Sequence, residues 1–194
     1  MADIYHEKQR FQYCAIHAIN NMFQDPTACS KKALDDECYE LDTRTWNNPH
    51  KSMLKIGNYD VNVIMNFLMK KSYNVIWFDK RRPVSCINVE EVFGFLLNSK
   101  SPIKIRGKSI PLKFFKHWYA VRKMPNSLYF NLDSKLEKPV NIGNENKLRE
   151  FLEKRLSDKE TELLLVVEGC KTRGDVVVLD DTSRSTKDSA SRTS

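Results

Sequence analysis

The apolar residues of this chain change their spacing partway along it, and that change rules out an all-helical or an all-strand fold. Ahead of Pro102, Tyr13, Ile16, Ile19, Asn20 and Phe23 recur at helical spacing from about Gln12 to Phe23, with Asp25-Pro26 as the stop. Val61, Ile64, Met65 and Leu68 follow Gly57-Asn58 at i, i+3, i+4 and i+7, the stripe of an amphipathic helix. Lys31 to Trp46 is helix-compatible, with Leu34, Cys38, Leu41 and Thr45 in line and Asn47-Asn48-Pro49 as a breaker. Its polar composition predicts a segment standing away from the core. Tyr73 to Phe78 reads as a strand, and a further helix is expected after Asn88, carrying Val89, Val92, Phe93, Leu96 and Leu97.

Beyond Pro102 the pattern is that of a sheet. Ile103-Lys104-Ile105, His117 to Arg122 and Ser127 to Leu132 are expected strands, the last two joined as a hairpin through Lys123-Met124-Pro125-Asn126. A helix with Leu148, Phe151, Leu152 and Leu156 on one face follows, then a buried strand from Glu162 to Glu168. The 194 residues show no internal repeat, so one domain over residues 1–180 is expected. Residues 181–194, mostly Ser and Thr with scattered charge, are expected to form a disordered tail.

Hydrophobic residues at 41% fit an ordinary globular protein. The first residues lack the apolar core of a secretory signal, and no apolar run is long enough to span a bilayer, so a soluble cytosolic protein is expected. Five cysteines, odd in number and irregularly spaced, argue against a disulfide framework, and the lack of paired CxxC or HxxxH spacings against structural zinc. Cys86 and Cys170 are expected to pack, with Cys29 and Cys38 in or beside the polar helical segment. A net charge of +7 leaves an acidic partner or an anionic membrane surface open. The charge is diffuse: Lys80-Arg81-Arg82 and Lys104-Ile105-Arg106-Gly107-Lys108 are short clusters where loops are expected, which reads as a solvated face and not as a nucleic-acid site. A monomer is expected.

Cys14 stands at the expected start of the first helix, where the partial positive charge of the helix N-terminus favours thiolate over thiol. A nucleophilic thiol needs an imidazole to shuttle its proton and an acceptor to fix the imidazole's tautomer. His117 and Asp133 can supply both, because the hairpin brings the start of one strand beside the end of the next. His17, three residues beyond Cys14, could compete as base, but i, i+3 geometry directs both side chains outward, and a structural role is expected. His6 and His50 read as surface or packing residues, and Trp118, by alternation, as core.

Tyr5-His6-Glu7-Lys8-Gln9 with Cys14-Ala15-Ile16-His17-Ala18-Ile19-Asn20-Asn21, then Gly57-Asn58-Tyr59-Asp60-Val61, His117-Trp118-Tyr119-Ala120-Val121-Arg122 and Asn131-Leu132-Asp133-Ser134, resemble the Josephin domain of cysteine deubiquitinases. The resemblance runs to about Cys170, with four motifs in the right order. It is nearer to the short Josephin proteins than to the ataxin-type members, which carry Asn where this chain has Asp133 and which have ubiquitin-interacting helices in their tails. The resemblance implies an α+β, papain-like cysteine protease fold: helices packed on an antiparallel sheet, with a protruding helical segment. It implies Cys14 as nucleophile, His117 as general base and acid, Asp133 as orienter, and Gln9 as oxyanion donor together with the Cys14 backbone N–H. It also implies isopeptide hydrolysis on ubiquitin, polyubiquitin or ubiquitinated proteins, with no metal or organic cofactor and with ubiquitin contacts near Val61 and Asn62. Two alternatives stay open: a weakly active or inactive ubiquitin-binding module, and a basic interaction protein for anionic partners.

Overall fold

Six strands form one antiparallel sheet whose order departs from the order of the chain. In the computed structural model, which describes residues 3–10, 13–41, 59–100, 103–105, 108–110 and 116–177, these strands are β1 (Tyr73–Trp77), β2 (Gly94–Lys100), β5 (Lys116–Lys123), β6 (Tyr129–Asn131), β7 (Val140–Gly143) and β8 (Glu162–Glu168). They run β1-β8-β2-β5-β6-β7 across the sheet. A separate ribbon pairs β3 (Ile103–Ile105), a strand the sequence predicts, with β4 (Lys108–Ile110), so that Lys108 of the second basic cluster also lies on a strand. The helices are α1 (Cys14–Phe23), α2 (Lys31–Leu41), α3 (Val61–Lys70), α4 (Glu145–Leu156) and the short α5 (Arg173–Val176).

Strand alternation divides the interior into two layers. Leu96, Trp118, Ala120, Leu164 and Val166 face α1 and α3, where Ile19, Met22, Ile64 and Leu68 cover them. Phe95, Leu97, Tyr119, Val121, Leu163 and Leu165 face the opposite way, beneath Leu148 and Leu152 of α4. Helices packed on both faces of an antiparallel sheet make the fold α+β. None of the described helices is long and apolar enough to cross a membrane.

Three expectations change. The helix expected after Asn88 is instead a pair of short 3-10 turns, Val84–Cys86 and Val89–Glu91, followed by β2. Phe95, Leu96 and Leu97 are all fully buried because β2 lies between β8 and β5 with helices on both faces; a strand buried twice over is continuously apolar, and its spacing mimics that of a helix. Gly94 opens this strand because a Cβ there would sit 2.6 Å from Met22 Sδ of α1. Within its described part, α2 is docked and not held apart: Leu34 and Cys38 join the core, and Glu37, itself buried, pairs with Lys70 of α3 at 2.8 Å. Residues 42–46 of the expected segment lie outside the described residues, as do His50, the Gly57-Asn58 start signal and the tail. Cys170 follows β8 in a turn and is exposed, whereas Cys14, Cys29, Cys38 and Cys86 are buried; all five are free.

Candidate active site

The segment 4–10, helix α1 and the β5–β6 hairpin converge on one end of the sheet. Pairing of Val121 with Asn131, Arg122 with Phe130 and Lys123 with Tyr129 sets the hairpin register, and Leu132 N donates to Ala120 O at 2.8 Å. Continued one step, that register sets Asp133 opposite Tyr119, two residues from His117, so the side chains meet on a diagonal. His117 Nε2 lies 2.6 Å from Asp133 Oδ1, which also accepts from Lys135 N at 2.9 Å. A carboxylate can only accept, so Nε2 carries the proton and Nδ1 is the basic nitrogen of the neutral ring. Nδ1 is buried and has no hydrogen-bond partner among the described residues.

Helix α1 lies on β5. Arg122 Nη1 donates to Met22 O at 2.7 Å near its C-terminus, and at its N-terminus the Trp118 backbone N–H lies close enough to the Cys14 sulfur to favour its thiolate. Only 2% of Cys14 and 4% of His117 is exposed. Burial pushes the Cys14 thiol above its ordinary value; backbone N–H groups of Trp118, Ala15 and Cys14 itself, with the charge of Lys135, oppose that rise without reversing it. The thiolate preference expected from the helix end is therefore present but smaller than the desolvation of the sulfur. Asp133 goes the other way. Burial alone would raise it, but the hydrogen bond and charge of His117 and the amide and charge of Lys135 hold it below the usual carboxylate value.

Gln9 is tied to the same place. Its backbone N–H donates to Ser134 O at 2.7 Å, beside Asp133, and Arg10 N donates to His17 Nε2 on α1 at 3.2 Å. Trp118 is core, as alternation predicts, and its Nε1 donates to Tyr59 O at 3.1 Å. That bond brings the start of α3 to the strand carrying His117. Asp60 caps α3 by accepting from Asn62 N at 2.8 Å and Val63 N at 3.1 Å; in this first turn Asn62 is exposed, while Val61 packs against the core. His6 Nε2 lies 3.1 Å from Leu136 O, a packing role.

Sequence reasoning missed Glu7 and the amides of Asn20 and Asn21. Asn21, fully buried, accepts from Glu7 N at 2.6 Å and donates to Glu7 O at 3.2 Å and Leu132 O at 3.0 Å, joining all three converging elements. The available signal was two adjacent amides inside an apolar helical stripe. Among the described residues no cluster of His, Cys, Asp and Glu could hold a metal ion.

A family model for Josephin matches residues 9–167. A Josephin-like protein of Drosophila melanogaster is 46% identical over 166 residues, covering 85% of this chain and 74% of that protein. Josephin-2 of Homo sapiens is 43% identical over 164 residues, covering 84% and 86%. The Mus musculus Josephin-2 matches at the same identity and coverage.

Proposed function

This chain belongs to the Josephin family, and from that membership we propose that it is a cysteine-type deubiquitinase hydrolysing ubiquitin–lysine isopeptide bonds. One observation carries the reading: His117 is locked by Asp133 with Nδ1 as its basic nitrogen, one residue from Trp118, whose backbone N–H favours the Cys14 thiolate. His117 Nδ1 takes the thiol proton as Cys14 Sγ attacks the carbonyl of ubiquitin's C-terminal glycine. The tetrahedral oxyanion is held by the Gln9 side-chain amide and the Cys14 backbone N–H; losing one such donor costs about 100-fold or more in rate. His117 passes its proton to the lysine amine, which leaves, and a thioester remains. Water, deprotonated by His117, hydrolyses the thioester and returns the free thiol with ubiquitin's carboxylate.

Ubiquitin is the proposed partner, with Asn62 better placed than Val61 to meet it because Asn62 is exposed. A slow enzyme is the form of this reading that the site favours: the sulfur is buried and its thiol is raised, so little thiolate exists in the free protein at neutral pH.

The test is labelling by ubiquitin bearing a C-terminal electrophile, in wild type, Cys14→Ala, His117→Ala and Cys86→Ala. Wild type and Cys86→Ala should label, His117→Ala should label slowly, and Cys14→Ala should not label. Labelling that survives Cys14→Ala, or fails in the intact protein, would sink the proposal.

A further inference from the structure

Next to the proposed catalytic pair lies a second histidine–carboxylate pair that the mechanism does not use. His17 Nδ1 lies 2.5 Å from Glu7 Oε2, and His17 Nε2 lies 3.2 Å from Arg10 N. Nε2 also lies 3.4 Å from Arg10 O; the shorter contact, with Arg10 N, takes Nε2 as the acceptor, and that goes with a proton on Nδ1 towards Glu7. Glu7 is itself held: its Oε1 accepts from the Tyr5 hydroxyl and from Asn20 Nδ2 at 3.1 Å, and its backbone is gripped by Asn21.

We propose that Glu7 and His17 are positioning residues for the oxyanion donor, with Glu7 fixing the His17 tautomer and His17 fixing the Arg10 amide and with it the Gln9–Arg10 peptide. The geometry is that of two consecutive amides pinned from opposite sides. Gln9 N is held by Ser134 O, on the loop carrying Asp133, and Arg10 N by His17, one helical turn beyond Cys14. Between those fixings the Gln9 side chain is suspended from both elements that carry the catalytic groups. An oxyanion donor stabilises the transition state only while aimed at the developing charge, and a misplacement of about 1 Å can cost about 100-fold. His17 therefore acts through Gln9 and not on the thiol.

This inference rests on the proposed deubiquitinase reaction, and the test separates the two. Turnover of ubiquitin carrying a C-terminal fluorogenic amide is measured for wild type, His17→Gln, His17→Asn, Gln9→Ala and Gln9→Ala/His17→Asn, with melting temperatures as a check on folding. The glutamine side chain of His17→Gln reaches as far as Nε2 and can accept the Arg10 amide; the shorter asparagine of His17→Asn reaches only as far as Nδ1. His17→Asn should lower kcat about 10-fold or more with KM little changed, and His17→Gln should restore most of that loss. The double variant should be no slower than Gln9→Ala, because the second change removes support from a donor already gone. Reaction of Cys14 with iodoacetamide, read on its own peptide by mass spectrometry, should keep its rate in His17→Asn, since alkylation forms no oxyanion. Additive losses in the double variant, an unchanged kcat in His17→Asn, or a slowed alkylation would each overturn the positioning role while leaving the enzyme assignment intact. A wild-type protein without turnover would sink the enzyme assignment and this inference with it.

Discussion

Asn21 Nδ2 lies 3.0 Å from Leu132 O, a buried bond between residues 111 positions apart that joins the helix of the thiol to the loop of Asp133. The same amide makes two bonds to the Glu7 backbone. Asn21→Ala deletes all three in a water-poor site, and each buried group left unsatisfied costs about 1–3 kcal/mol. A loss of roughly 2–4 kcal/mol in urea unfolding is expected. A loss under about 0.5 kcal/mol, the scale of a neutral surface change, would show that the junction is not structural.

Asp133 serves His117 as an acceptor first and as a charge second. The carboxamide oxygen of Asp133→Asn can accept from both His117 Nε2 and Lys135 N, whereas the methyl group of Asp133→Ala can accept from neither. Asp133→Asn should therefore keep most turnover, and Asp133→Ala should lose about 100-fold or more, the range of a mispositioned general base. Equal losses in the two variants would mean that the charge matters more than the bond.

Buried thiols make this fold sensitive to alkali. Burial pushes Cys29 up to about 12 and raises Cys14 in the same direction. Below the ordinary thiol value of about 9 the folded and unfolded chains are both protonated, and this contribution to stability is complete. As pH rises towards 12 the unfolded chain releases the proton while the folded chain keeps it, so stability falls. Urea titrations between about pH 9 and 12 should show a shallower fall in Cys29→Ser, by up to about 1.4 kcal/mol per pH unit. Parallel curves for the two proteins would refute the assignment.

Gly94 marks the closest approach of α1 to the sheet. A methyl group there would meet Met22 Sδ at 2.6 Å and Cγ at 2.8 Å, and Met22 is fully buried. Overpacking of this kind costs about 1–3 kcal/mol, so Gly94→Ala should lower the melting temperature, and Gly94→Ala/Met22→Ala should lose less than the sum of its parts. Additivity would show that the helix does not press on this glycine.

The elements that carry the candidate site were readable from the chain because they are locally patterned. His117 and Asp133 flank a hairpin whose strands and turn are explicit, and Cys14 opens a helix with a clear apolar stripe. The misreading of β2 has a physical source: Phe95, Leu96 and Leu97 are covered on both faces, which erases the alternation that identifies a strand. Glu7 and Asn21 escaped for a different reason. Their importance comes from partners brought close by the fold, and nothing in the residues around Glu7 distinguishes a carboxylate holding three donors from one facing water. Cys170 was misplaced because a small apolar residue in a turn carries no burial signal of its own.

The place of β8 bears on when this protein becomes competent during its synthesis. Strand β8 is made after every other described strand, yet it separates β1 from β2 and supplies Leu164 and Val166 to the cluster that surrounds Cys14. A nascent chain that has not reached Glu162–Glu168 lacks the strand that joins β1 to β2 and the Leu164 and Val166 part of the cluster that includes Cys14. Nearly the whole described sequence must therefore leave the ribosome before the cluster around Cys14 is complete, and a chain stalled earlier should expose an unpaired β2 edge to the cell's chaperones instead.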